Sequence, residues 1–291
     1  MADAAVSTAR RDDDAVRGRA LRAFLRHRGA TLSLFLLLAL TAAALLAPWI
    51  APYDPEKIDV LQRLASPSAE HWLGTDEVGR DVFSRILYGG RVSLIVGLVS
   101  ATLSVLIGVL LGGLAGYFGR AVDAILMRFT DGMLAIPLFF FLLVVMAVFG
   151  SGLTQIVLVI SATTWMPIAR IVRGEVLKAK NLPFVEAAEA LGAQQRHVIV
   201  RHLLPQTIPS VIVAATLGVA NAILLESALS YLGLGIQPPI PSWGNMLQGS
   251  QAYVWTQPLL ALWPGLMIFV AVMAYNSLGD GIRDALEPGG R

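Results

Sequence analysis

No Asp, Glu, Lys or Arg occurs between Asp131 and Arg170. A stretch that long without charge restricts the chain severely. About 20 predominantly apolar residues cross the ~30 Å hydrocarbon core of a bilayer. In lipid every backbone N–H and C=O must be satisfied inside the protein, so a crossing segment of this kind is a helix. The stretch is too long for one crossing, and Gly150-Ser151-Gly152 interrupts it. It predicts two helices, at about 133–149 and 153–169, joined by a tight turn.

Four further runs have the same character: Leu32–Ala51, Val92–Phe118, Pro209–Tyr231 and Leu259–Leu278. The whole chain is 56% hydrophobic and only 14% charged, against roughly 25% charged in soluble domains. The expectation is an all-α integral membrane protein with six transmembrane helices. Gly233 to Pro258 is uncharged but rich in Gly, Pro, Gln and Trp, which predicts a loop.

Six crossings put both termini on one side, and the charges between them say which. Residues 1–30 hold seven basic and four acidic residues, including Arg10, Arg11, Arg17, Arg19, Arg22, Arg26 and Arg28. Residues 170–208 hold six basic and three acidic, whereas 52–91 hold seven acidic and five basic. Both basic islands are expected in the cytoplasm and the acidic one outside. The predicted organisation is a cytoplasmic tail (1–30), a first crossing (31–51), an external segment (52–91), a core of five crossings with a cytoplasmic loop at 171–208 (92–279), and a cytoplasmic tail (280–291). The first ~20 residues, with Asp12-Asp13-Asp14 among arginines, read as disordered. Leu32–Ala51 is longer than the apolar core of a secretory signal and about 30 residues precede it, so an uncleaved span is expected.

The loop between the fourth and fifth crossings is unusual. Glu186 to Pro205 reads EAAEALGAQQRHVIVRHLLP, charged and amphipathic. Asn181 and Pro183 signal a helix start. Phe184, Ala187, Ala188 and Leu191 recur at i, i+3, i+4, i+7 and share one face. Glu186 lies near the helix N-terminus, where the macrodipole favours an anion. Gly192 suits a left-handed C-terminal cap. A second short helix is expected to run to Leu204 and stop at Pro205, with Pro209 opening the fifth crossing. Periodicity leaves two readings open: an interfacial amphipathic loop, or a low-profile surface on which a partner docks.

The same stretch resembles the EAA loop of ABC importer permeases. That pattern is E-A-A, three residues, Gly, nine residues, then I-x-L-P. Glu186, Ala187, Ala188, Gly192, Leu204 and Pro205 match at that spacing, with His202 in the Ile position. Two longer stretches, His71–Leu94 (HWLGTDEVGRDVFSRILYGGRVSL) and Ser227–Leu247 (SALSYLGLGIQPPIPSWGNML), resemble the second, C-type permease subunit of dipeptide and oligopeptide importers. Asn276–Asp284 fits as well, so the resemblance runs from about Leu32 to the C-terminus. It implies a type I ABC importer permease fold in a bacterial inner membrane. It also implies that Glu186, Ala187, Ala188, Leu191, Gly192, Leu204 and Pro205 form a coupling helix that inserts into a cleft of an ATPase subunit. The implied partners are a related permease as heterodimer, cytoplasmic nucleotide-binding subunits carrying ATP and Mg, and an external substrate-binding protein, with lipid around and no nucleic acid.

Three further features are left with two readings each. The short polar residues of Gly74-Thr75-Asp76 and Gly79-Arg80-Asp81 can cap a helix starting near Gly79, with an amphipathic stretch over Val82–Tyr88 on the outer membrane face. They are either a structural cap or part of an outer gate or binding-protein dock. The prolines of Gln237–Trp243 forbid a regular helix. Pro241 and Trp243 then belong to a stiff loop facing the external protein or the partner permease, with the indole at the membrane interface. Glu226 is the one charged residue inside a crossing. It costs ~2.5–3.5 kcal/mol there, which nine Val, Ile or Leu residues at roughly −0.3 to −0.6 kcal/mol each offset. It lies either on the translocation path or its outer gate, or is a helix-bonding acid buried against the partner.

Catalysis finds little support. The chain has no phosphate loop of the G-x-x-x-x-G-K-[ST] type, so ATP hydrolysis belongs to other subunits. It has no Cys, and its four His residues show no metal-ligand spacing. No cofactor is expected on this chain. An ion-coupled secondary transporter is the competing class; such proteins carry intramembrane relays and paired repeats. Nickel, glutathione or another small solute are alternative cargoes of the same permease role.

Overall fold

The structure, a computed structural model, describes residues 24, 25 and 27–286. The arginine tail up to Arg22, Arg26 and the last five residues lie outside it, and with them the expectation of a disordered N-terminus. Among the described residues the chain is helical, with no strand beyond one isolated bridge between Thr75 and Asp81.

Helix α1 (Arg28–Leu45) is followed by one turn, α2 (Ala47–Ile50). A loop region containing a short 3-10 turn at Val60–Gln62 leads to α3 (Val82–Phe118). Then come α4 (Arg120–Leu134), α5 (Leu138–Phe149), α6 (Leu153–Lys180) and the short α7 (Pro183–Ala190). The turn α8 (Gln195–His197) passes through a π-helical segment at Val198–Leu203 into α9 (Leu204–Tyr231). Finally α10 (Trp243–Ser250) and α11 (Leu259–Leu286) close the chain. Among the described residues five helical segments are long and apolar enough to cross a membrane alone, and α4 with α5 make a sixth if the bent pair is one span.

Helices α1, α3, α6, α9 and α11 form the bundle, and α3 against α6 is its most extensive contact. The reason is a row of glycines at spacing four. A Cβ on Gly108 would lie 2.7 Å from Ile168 Cβ, and one on Gly116 2.8 Å from Val176 Cβ; between them Gly112 faces the Ala169 backbone. Small residues let two helices approach backbone to backbone, which replaces the hydrophobic drive that lipid removes. Ser104 and Thr164 then meet across the contact at 2.6 Å.

The N-terminus of α1 and the C-terminus of α11 lie together: His27 Nε2 is 3.8 Å from Asp284, and Gly281 packs on Ala30. α7 is at this same end, called the base below; the 52–81 segment and α10 form the opposite cap.

Several boundaries differ from expectation. The amphipathic stretch Val82–Tyr88 is not a surface helix but the first turns of α3, with Val82, Ser84, Arg85, Ile86 and Leu87 buried. Its 37 residues span about 55 Å, so the helix rises well beyond the bilayer into the cap. The stretch expected as the third crossing is not one helix: α4 and α5 meet at 85°. Pro137 has no N–H to continue a helix and pushes Ile136 out of the helical region. Pro167, inside α6, breaks nothing. Neighbouring Thr163 and Thr164 hydroxyls bond the Val159 and Ile160 carbonyls, which helps a helix tolerate the proline. Pro205 does not stop the helix either: it lies in the first turn of α9, where a missing N–H costs little. The Gly233–Pro258 loop contains α10, because Ser242 and Asn245 form a capping box on its first turn.

Candidate functional site

α7 joins α6 to α9 at the base. Its Val185 is 0% exposed and packs into a core with Tyr117 of α3, Ile168, Val172 and Val176 of α6, and Val198 and Leu203 of the following segment. The other side of the helix is open: Phe184, Glu186 and Ala187 are exposed, and Leu191 is 89% exposed. The helix ends as Gly192 predicts. Gly192 takes φ +82°, and the Ala193 N–H reaches back to the Ala188 carbonyl at 3.0 Å, closing a Schellman turn. No atom lies within 4 Å of where a Gly192 Cβ would be, so conformation alone demands glycine here. Of the matched positions, Glu186, Ala187, Ala188, Leu191 and Gly192 form one continuous handle, whereas Leu204 and Pro205 belong to the start of α9.

The handle is tied to the bundle by charge. Lys180 donates to the Tyr117 carbonyl at 2.9 Å and stands over the Tyr117 ring. Asp123 of α4 takes both Arg173 Nε and Nη2, a forked pair on α6, and Asp131 takes Arg170 one turn away. These two pairs hold the amphipathic α4 alongside the base half of α6.

At the cap, Gly74, Thr75, Asp76, Gly79, Arg80 and Asp81 are all buried. Asp76 Oδ1 accepts the N–H groups of Val78 and Arg80, while Oδ2 accepts Arg80 Nε at 2.7 Å and lies 3.4 Å from Arg85 Nε. Asp81 accepts His71 Nδ1–H at 2.8 Å and caps α3 through the Ser84 N–H at 2.8 Å. Gly74 and Gly79 both take positive φ, and the Asp59 backbone presses on Gly79. The stretch is an inward-turned knot that fixes the cap to α3. Its exposed neighbours are Ile58, Val60, Trp72 and Leu61, the last 97% exposed.

Neither Trp243 nor Pro241 stands on the surface of the chain, contrary to the expectation of an outward-facing loop. Both are buried, Trp243 to 2% exposure. The indole lies against Gly90, where a side chain would collide with it, and its Nε1–H donates to the Ile86 carbonyl at 3.1 Å. Only Gln237–Ile240 of that loop are exposed. Glycine at 90 opposite tryptophan at 243 was the signal for this packing, and no local pattern announces such a pairing.

Glu226 is 0% exposed and closes the seam between cap and bundle. It accepts the hydroxyls of Ser93 on α3 (3.0 Å), Ser230 (2.8 Å) and Ser227 (3.3 Å), and Ser242 at the head of α10 also reaches it. The serines extend the network: Ser93 Oγ accepts the Trp243 N–H and Ser230 Oγ the Ile236 N–H. The acid bonds helices of its own chain and is closed to solvent. Sequence reading missed the four serines, whose spacing on three separate elements shows no periodicity.

Comparison with known proteins fits this architecture. Residues 108–291 match the model for binding-protein-dependent transport system inner membrane components, and residues 17–67 that for the N-terminal TM domain of oligopeptide transport permease C. The nickel transport system permease protein of Escherichia coli (strain K12) is 41% identical over 91% of this chain and 96% of its own. The dipeptide transport system permease protein of Bacillus subtilis (strain 168) is also 41% identical, over 92% and 84%. A crystal structure of an amino acid ABC transporter with histidines aligns with a TM-score of 0.54 at 16% identity, covering 69% of this chain and 94% of that one, and so shares the fold. The ion-coupled class and an enzymatic role fall away: the chain belongs to the binding-protein-dependent family as an inner-membrane permease subunit of an ABC importer, of the oligopeptide and dipeptide C-type.

Proposed function

We propose that this subunit passes short peptides, delivered by an external binding protein, into the cytoplasm under the drive of ATP hydrolysed elsewhere. The observation that carries the coupling role is the division of α7: Val185 is anchored in the bundle while Leu191 stands free. Such a helix transmits a push, because its partner grips one face and the bundle holds the other. ATP and Mg belong to the partner subunits on this reading, and Glu186, Ala187, Ala188, Leu191 and Gly192 are the contact. The basic loop around α7 and the basic N-terminus favour the cytoplasm for the base. A related permease completes the pathway as a heterodimer within the lipid. The cap, with Ile58, Val60 and Leu61 exposed, is the docking side for the binding protein, and Glu226 locks the outer gate shut against α3.

Peptide cargo rests on the match to the oligopeptide permease model; nickel is the second reading, favoured by the equal identity to the nickel permease. Reconstitution of the full complex in vesicles tests both. ATP-dependent uptake of labelled dialanine supports peptide transport. Uptake of nickel alone moves the cargo to the second reading, and uptake without ATP overturns the mechanism.

A further inference from the structure

Two prolines lie on facing walls of one cavity. Pro137 makes the break between α4 and α5, and Pro167 is inside α6. A cavity of about 230 Å³ opens where they meet, with Thr163, Thr164, Phe141 and Asn221 among its walls. Its depth follows from the helices. Asn221 is ten residues before the end of α9 at Tyr231, and Thr163 ten after the start of α6 at Leu153, so each lies about 15 Å from the cap end of its helix. A ~30 Å hydrocarbon slab that begins at those helix ends has its middle at this depth.

Asn221 is exposed, and its amide makes no hydrogen bond among the described residues. An amide in hydrocarbon without a partner is costly, so such groups face a neighbouring subunit or a water-filled path. Thr163 is buried and its hydroxyl is committed to the Val159 and Ile160 carbonyls. Thr164 is likewise committed to Ile160 and Ser104. No ionisable side chain lines the cavity among the described residues. What it presents is therefore neutral: one amide that both donates and accepts, among apolar walls.

We propose that this cavity is a mid-membrane station on the cargo path, where the Asn221 amide hydrogen-bonds the backbone groups of a passing peptide. The station rests on the peptide-import reading above and deepens it. A neutral group of this kind holds main-chain amides and ammonium groups whatever side chains the cargo carries.

The chain contains no Cys, so single thiols can be read without background. In the reconstituted complex, Asn221→Cys should react with a charged, water-soluble methanethiosulfonate. Val144→Cys, also exposed but on α5 outside the cavity, should not. Dialanine supplied with the binding protein should slow the Asn221→Cys reaction several-fold. Asn221→Leu should raise KM for dialanine at least tenfold while nucleotide-binding subunits still co-purify, with Asn221→Gln recovering most of it. An Asn221→Cys thiol that stays unreactive in every nucleotide state, or that is sealed against the partner permease and cross-links to it, overturns the station. Wild-type ATP-driven uptake survives that result, whereas absence of wild-type uptake with a reactive Asn221→Cys thiol would sink the import reading alone.

Discussion

The Ser93 hydroxyl of α3 donates to the Glu226 carboxylate of α9 across 3.0 Å, in a seam closed to solvent. This bond and those of Ser227, Ser230 and Ser242 make the carboxylate the shared acceptor of three elements. Glu226→Leu strips the acceptor from all four hydroxyls, each costing about 1–3 kcal/mol if left unmatched. The complex should lose several degrees of melting temperature or fail to assemble. Glu226→Gln keeps the shape, and hydroxyls can rotate to accept its NH₂, so the loss should be about 1 kcal/mol. A melting series on the purified complex reads both; equal melting of the two variants removes the seam's importance.

Gly192 gives a prediction about coupling. Its left-handed conformation costs a side-chain residue about 1–2 kcal/mol, and no atom stands in the way of a Cβ. Gly192→Ala should therefore fold and insert, yet let α7 fray. The expected signature is more ATP hydrolysed per solute imported, with permease abundance unchanged. Gly192→Asn, which tolerates the left-handed region better, should recover part of the coupling. Tight coupling in Gly192→Ala would detach the turn from energy transmission.

These local features were legible in the sequence, and the reason is that they need no distant partner. Charge-free runs announce crossings because lipid acts on each segment alone. Gly192 announces its turn because the constraint is on its own backbone. Proline shows where such reading ends. Pro137 stands at the break between two helices and Pro167 inside one, although both lie in apolar sequence. What separates them is context: α6 is packed along α3, and Thr163 and Thr164 hydroxyls supply extra bonds to its carbonyls. Trp243 makes the same point. An amphipathic indole beside prolines suits a membrane interface, but Gly90 on a distant helix offers it a slot.

The glycine row of α3 separates packing from helix propensity. Gly112 faces the Ala169 backbone, so a methyl group there must push α3 and α6 apart. Gly112→Ala should destabilise by about 1–3 kcal/mol, the usual cost of overpacking. Gly132 in α4 has nothing within 4 Å of its Cβ direction. Gly132→Ala should stabilise, by at most about 1 kcal/mol, through helix propensity. Opposite shifts in the melting temperature of the complex are expected; shifts of one sign would mean that the α3–α6 contact is looser than its geometry.

Trp243 allows the indole hydrogen bond to be weighed apart from the ring. Trp243→Phe keeps an aromatic ring near Gly90 but loses the Nε1–H that reaches the Ile86 carbonyl. That carbonyl lies within α3 and can keep its own helical N–H, so the loss is one neutral hydrogen bond, about 1 kcal/mol, plus the smaller ring's packing. Trp243→Ala empties the slot altogether and should cost about 3–5 kcal/mol. The Trp243 backbone N–H, which the alanine variant keeps, donates to Ser93, which in turn bonds Glu226, so a backbone that shifts into the emptied slot should loosen the whole seam. Amide exchange over Ser242–Ser250 measures this directly: strong deprotection in Trp243→Ala and little in Trp243→Phe is the expected contrast. Comparable deprotection in both variants would place the hold on the cap in the hydrogen bond rather than in the buried ring.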